Sequence, residues 1–78
     1  MSDIVKPRRP YDARRRRRRA DQGRARTLAV ARRLFLDRGY AGTTIGAISA
    51  EADVSPDTIY KSFGGKPGLL RAMWLQSL

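Results

Sequence analysis

The feature that most narrows what this chain can fold into lies between Thr44 and Phe63, TIGAISAEADVSPDTIYKSF, where two short periodic segments are separated by only a few residues. Ile45, Ile48 and Ala52 recur at spacings of three and four, which places them on one face of a helix of about two turns, with Thr44 where an N-cap belongs. Ser55 then offers a hydroxyl to orphan amides, Pro56 suits a first helical position and Asp57 suits the positive end of the dipole, so a second helix starts at Ser55 or Pro56. On it Ile59 and Phe63 face inward, while Asp57, Thr58, Lys61, Ser62 and much of Tyr60 face elsewhere. Such a short, polar outward set suits a helix whose N-terminal residues reach base edges in a groove roughly 12 Å wide while the preceding helix braces across the backbone.

The flanks supply a body for this pair. From residue 24 the chain places Leu28, Ala31, Leu34 and Phe35 on one stripe, with Arg26, Arg32, Arg33 and Asp37 around it, and Gly39 stops the helix. Gly64 and Gly65 end the helix that carries Phe63, and Leu69, Leu70, Met73, Trp74, Leu75 and Leu78 open a last one. Its apolar arc is broader than so small a core needs, and no stop signal follows. The expected fold is all-α: a helix-turn-helix domain over 24–78, with helices at about 24–38, 45–52, 56–63 and the start of a fourth at 67–78. Residues 1–23 read as a flexible, disordered basic arm, since Pro7 and Pro10 break regularity and Arg14, Arg15, Arg16, Arg17, Arg18 and Arg19 repel one another.

Composition points the same way. Seventeen Lys and Arg against seven Asp and Glu give a net charge of +10 over 78 residues, which asks for a polyanionic partner. All but three of those cations are arginines, whose forked guanidinium suits phosphates and narrow minor grooves better than a point charge does. With no Cys and no His, disulfides, Cys/His zinc sites, cysteine nucleophiles and histidine-based triads are ruled out, so neither an enzyme nor a cofactor or metal is expected. The apolar runs are too short for a bilayer, and Ala20, Asp21, Gln22 and Gly23 follow the basic run where an export signal needs a hydrophobic region. The expected location is cytoplasmic, with the nucleoid.

The stretch LFLDRGYAGTTIGAISAEADVSPDTIYKSFGGKPGLL resembles the DNA-binding domain of TetR-type transcriptional regulators, with an aromatic helix ending in Gly-Tyr, then Thr-Thr, then Val-Ser-x-x-Thr-x-Tyr-x-x-Phe, then Lys. The resemblance runs from about Arg24 to Trp74 and implies phosphate or base contacts from Thr44, Ser55, Thr58, Tyr60, Lys61 and Lys66, with the recognition helix in the major groove of double-stranded DNA and repression as the outcome. It also implies a homodimer and a small-molecule effector pocket in a further helical domain, so the chain is expected to be an N-terminal fragment of a longer regulator or a truncated product, with its last helix partly unsupported. Two positions depart from the pattern. Asp53 stands where the family turns on Gly, and Pro67 follows Lys66 where an acidic residue is common. Asp adopts the left-handed conformation of a tight turn more readily than most residues. A residue before proline avoids the α region, so Lys66 is expected to be the N-cap and Pro67 the first helical residue of the last helix.

Each assignment has a plainer reading. Ser55 and Thr58 sit where hydroxyls cap helices, Tyr60 is three residues from Phe63 and packs equally well, Lys61 suits a solvated face, and the arginine run suits a solubilising tail. Phe35, Ile48, Val54, Ile59 and Phe63 read as core, and Tyr40 and Trp74 as packing residues. Two whole-chain alternatives also stand: a non-specific arginine-rich binder of RNA or anionic membrane surface, and an interaction module that pairs a helix against the face around Trp74.

Overall fold

The computed structural model describes residues 10–77; for Pro10 and Tyr11 it fixes the backbone only. Four helices follow in order: α1 Pro10–Arg38, α2 Ile45–Ala52, α3 Pro56–Phe63 and α4 Lys66–Ser77. The two short helices fall where the periodicity of Thr44–Phe63 puts them. Thr44 caps α2 by accepting a hydrogen bond from the Ala47 N–H at 3.0 Å, and Ser55 caps α3 by accepting from Thr58 N–H at 3.1 Å. Between them Asp53 turns the chain in the left-handed region, φ 58° and ψ 46°, and its N–H closes onto the Ser49 carbonyl.

The first helix differs from expectation. It begins at Pro10 instead of near residue 24 and carries Arg14–Arg19 as helix. Proline at the first helical position, Asp12 in the first turn and a run of good helix formers, with six arginines followed by alanine, outweigh the mutual repulsion of the guanidinium groups. Residues 1–9 of the expected arm lie outside the described residues. From Asp12 to Arg26 no side chain of α1 is buried; burial starts at Thr27 and continues through Leu28, Ala31 and Leu34.

Those α1 residues meet Ile45 and Ile48 of α2, Ile59 of α3, and Leu69 and Met73 of α4 in one core, with Phe35, Val54 and Phe63 half-buried against it. Thr43 is also buried, 1% exposed, and its hydroxyl donates to the Leu34 and Gly39 carbonyls, tying the α1–α2 link to the end of α1. Arg26 Nε donates to the Ala52 carbonyl at 3.0 Å, and Arg33 pairs with Glu51, so two α1 cations fasten α2 in place.

The entry into α4 also departs from the proline rule. Gly64 and Gly65 both take positive φ, 83° and 118°, and reverse the chain so tightly that Leu69 N–H already bonds the Gly65 carbonyl at 3.1 Å. Lys66 is therefore the first residue of α4, not its cap. Gly68 passes close to the Phe63 carbonyl, where a Cβ would collide with backbone. Leu69 and Met73 face the core, but Leu70, Trp74 and Leu75 do not; Trp74, expected to pack, is 74% exposed. Leu78 lies outside the described residues.

Candidate nucleic-acid interface

The start of α3 stands clear of the core because Ile59, with Phe63 at the far end of the helix, anchors it. Ile59 is fully buried, while Ser55, Pro56, Asp57, Thr58, Tyr60, Lys61 and Ser62 around it are exposed. An eight-residue helix with a single buried position presents most of its circumference, which is the form a groove-reading helix needs.

The polar side chains there are not all equally available. Ser55 Oγ accepts the cap bond and also lies 2.8 Å from Thr58 Oγ1, so the two hydroxyls hold one another. Each retains hydrogen-bonding capacity, since a hydroxyl offers one donor and two acceptors. Lys61 Nζ lies 3.3 Å from Asp57 Oδ2 one turn back, an exposed pair that yields readily to a phosphate. Tyr60 is 54% exposed, and its ring edge lies beside Gly65. Its body is thus braced against the α3–α4 turn while much of the side chain faces outward.

Thr44 is exposed at the start of α2 with its hydroxyl engaged in the cap. Lys66 is only half-exposed, with Nζ 4.4 Å from the centre of the Tyr40 ring, a cation–π contact. Tyr40 in turn pairs with Phe35 at a ring-centroid distance of 5.1 Å, so it packs as expected, although it is 40% exposed.

The arginine run divides by helical phase. At about 100° per residue, Arg16, Ala20, Gly23 and Thr27 fall on the stripe that becomes the core side of α1, with Arg19 beside them. These residues form one wall of a cleft of about 380 Å³ whose other wall includes Ser55, Thr58 and Ser62 of α3. The fold thus brings Arg16 and Arg19 together with two of the expected α3 contacts; Arg14, Arg15, Arg17 and Arg18 do not line this cleft.

Two participants escape sequence reasoning. Arg24 lays its guanidinium 4.4 Å from the centre of the Phe63 ring, and Arg26 reaches the end of α2, so both lie in the cleft but are committed to the fold. The signal for Arg26 is its phase, seven residues and two turns on from Arg19 on the flank of α1 that borders the cleft; nothing in the sequence marks the Arg24–Phe63 pair. Among the described residues no group of His, Cys, Asp and Glu has the spacing of a metal site, and no helix is long and apolar enough to cross a membrane.

Comparison with known proteins agrees with this geometry. A family described as bacterial regulatory proteins, tetR family, matches residues 28–73, which takes in the second half of α1, all of α2 and α3 and most of α4. An uncharacterized HTH-type transcriptional regulator of Bacillus subtilis (strain 168), YvkB, is 39% identical over 51 residues, covering 65% of this chain and 27% of that protein. The chain therefore spans about a quarter of the length of that relative. No solved structure matches significantly.

Proposed function

This chain belongs to the tetR family of bacterial regulatory proteins and carries its DNA-binding, transcription-regulating domain, and from that premise we propose that it reads a specific duplex sequence by inserting α3 into the major groove. The observation that carries the reading is the exposed first turn and outer face of α3, held on the core by the buried Ile59 and the half-buried Phe63. Thr58 and Lys61 meet base edges, with Asp57 beside them, while Ser55, Tyr60, Thr44, Lys66 and the arginines of α1 take phosphates and fix the register. Lys66, committed to Tyr40, contributes through a shorter reach than a free lysine has.

Occupying an operator excludes other proteins from that stretch of DNA, and repression is the regulatory sense we assign. Assembly as a homodimer and response to a small-molecule effector belong, in this reading, to parts of such a regulator beyond the matched residues. A cytoplasmic, nucleoid-associated location follows from the partner. The charge of +10 favours duplex DNA as strongly as it favours any polyanion, so it supports binding but not sequence preference.

Selection of a preferred duplex from a random pool, followed by affinity measurements on that duplex and on random DNA, tests the proposal. Thr58→Val leaves the N–H that Ser55 caps in place, so the fold persists and the ratio of specific to random affinity falls by about tenfold, the discrimination that one side chain at a base edge supplies. Failure of any sequence to be enriched would instead leave a non-specific polyanion binder.

A further inference from the structure

We propose that the cleft between α1 and α3 is a seat for one sugar–phosphate strand of the duplex, built from Arg16 and Arg19 facing Ser55, and that the other four arginines of the run stand outside it. This inference rests on the reading of α3 as the DNA-inserted helix and assigns the strand that flanks it.

Phase sets this division. Arg16 and Arg19 are one turn apart on the side of α1 that continues the core stripe, so both guanidinium groups line the space over the start of α3. Arg14 and Arg18 point roughly opposite, by about 150° of helical phase. Within the cleft, Arg24 is stacked on Phe63 and Arg26 is bonded to the Ala52 carbonyl, which leaves Arg16 and Arg19 as the cations that line it without a hydrogen-bond or ion-pair partner among the described residues. The opposing wall supplies the Ser55 hydroxyl, a group of the kind that binds phosphate oxygens alongside arginine forks. Asp53 also borders the cleft, at its α2 end, and excludes anions from that side. Ala20 and Gly23 line the same wall with no long side chain to fill the cleft. A strand of phosphodiesters is the polyanion that matches a basic cleft beside a groove-reading helix.

Two double variants of equal charge test the assignment in the full chain: Arg16→Ala/Arg19→Ala and Arg14→Ala/Arg18→Ala. Alanine preserves or raises helix propensity, and circular dichroism checks that both fold. Duplex affinity is measured across a salt series on the preferred sequence and on random DNA. The cleft pair is expected to weaken binding by about tenfold or more on both duplexes, with the specificity ratio unchanged, and to flatten the slope of log K against log salt by about 1.8, the value for two fewer phosphates neutralised. The outward pair is expected to change the slope by less than half as much. Equal effects from the two pairs would overturn the seat while leaving DNA reading intact; absence of duplex binding by the unmodified chain would overturn the reading on which it rests.

Discussion

At the scale of single residues, the polar side chains divide by what already holds them. Thr43 spends its hydroxyl inside the fold, on two carbonyls, and the isosteric Thr43→Val leaves the volume but strips both acceptors of that partner. The expected cost is about 1 kcal/mol, a fall of roughly 4–8 °C in melting temperature for a domain of this size, with no direct effect on DNA binding. An unchanged melting temperature would show that the link between α1 and α2 does not depend on that hydroxyl. Thr44, its neighbour, is legible as a cap because capping is local and has a residue signature. The burial of Thr43 is not, because it depends on where Leu34 and Gly39 come to lie after the chain has turned. The same distinction holds for glycines: Gly64 and Gly65 announce a break, whereas Gly68 matters only because α4 passes close to the Phe63 carbonyl.

Among elements, α2 and α3 are readable to the residue, since caps, proline and periodicity coincide at each end. The exception is α1, where helix propensity outweighs like charge and the helix begins fourteen residues earlier than the periodic pattern. The apolar pattern could not mark that start, because no residue from 12 to 26 is fully buried. They are helix without core. Apart from Arg24 and Arg26, tied to Phe63 and to the Ala52 carbonyl, their stability comes from propensity and continuity with the anchored half, so the amides of residues 12–22 are expected to exchange with solvent faster than those of residues 28–38 by an order of magnitude or more. Hydrogen exchange resolved along α1 checks this; uniform protection from residue 12 to residue 38 would mean that the cleft side chains hold the exposed half as firmly as the core holds the other. The cleft itself is half legible. Each of its α3 residues is marked, and all six arginines are marked, but which two of the six face α3 follows from phase relative to Thr27 and Leu34, and that phase has no meaning unless the helix runs unbroken through Gly23.

For the whole molecule, charge and apolar surface are segregated. The basic cleft lies between α1 and α3, while Leu36, Leu70 and Trp74 border a separate, largely apolar hollow of about 810 Å³ between the C-terminal half of α1 and α4. Exposed apolar surface of this kind promotes association, so Leu70→Gln/Trp74→Gln is expected to reduce self-association at high protein concentration, read by sedimentation, while shifting stability by no more than about 0.5 kcal/mol. A loss of folding in that variant would place those side chains in the core after all. The unbroken length of α1 has a mechanical consequence. Its fulcrum is the packed segment around Leu34, and Arg16 sits eighteen residues away, roughly 27 Å along the axis. A tilt of only ~10° at the fulcrum swings the arginine tip by about 5 Å, more than the span of a guanidinium–phosphate bond. The helix behaves as a lever, and the fit of Leu28, Ala31 and Leu34 against their neighbours sets the aim of cations that never touch them.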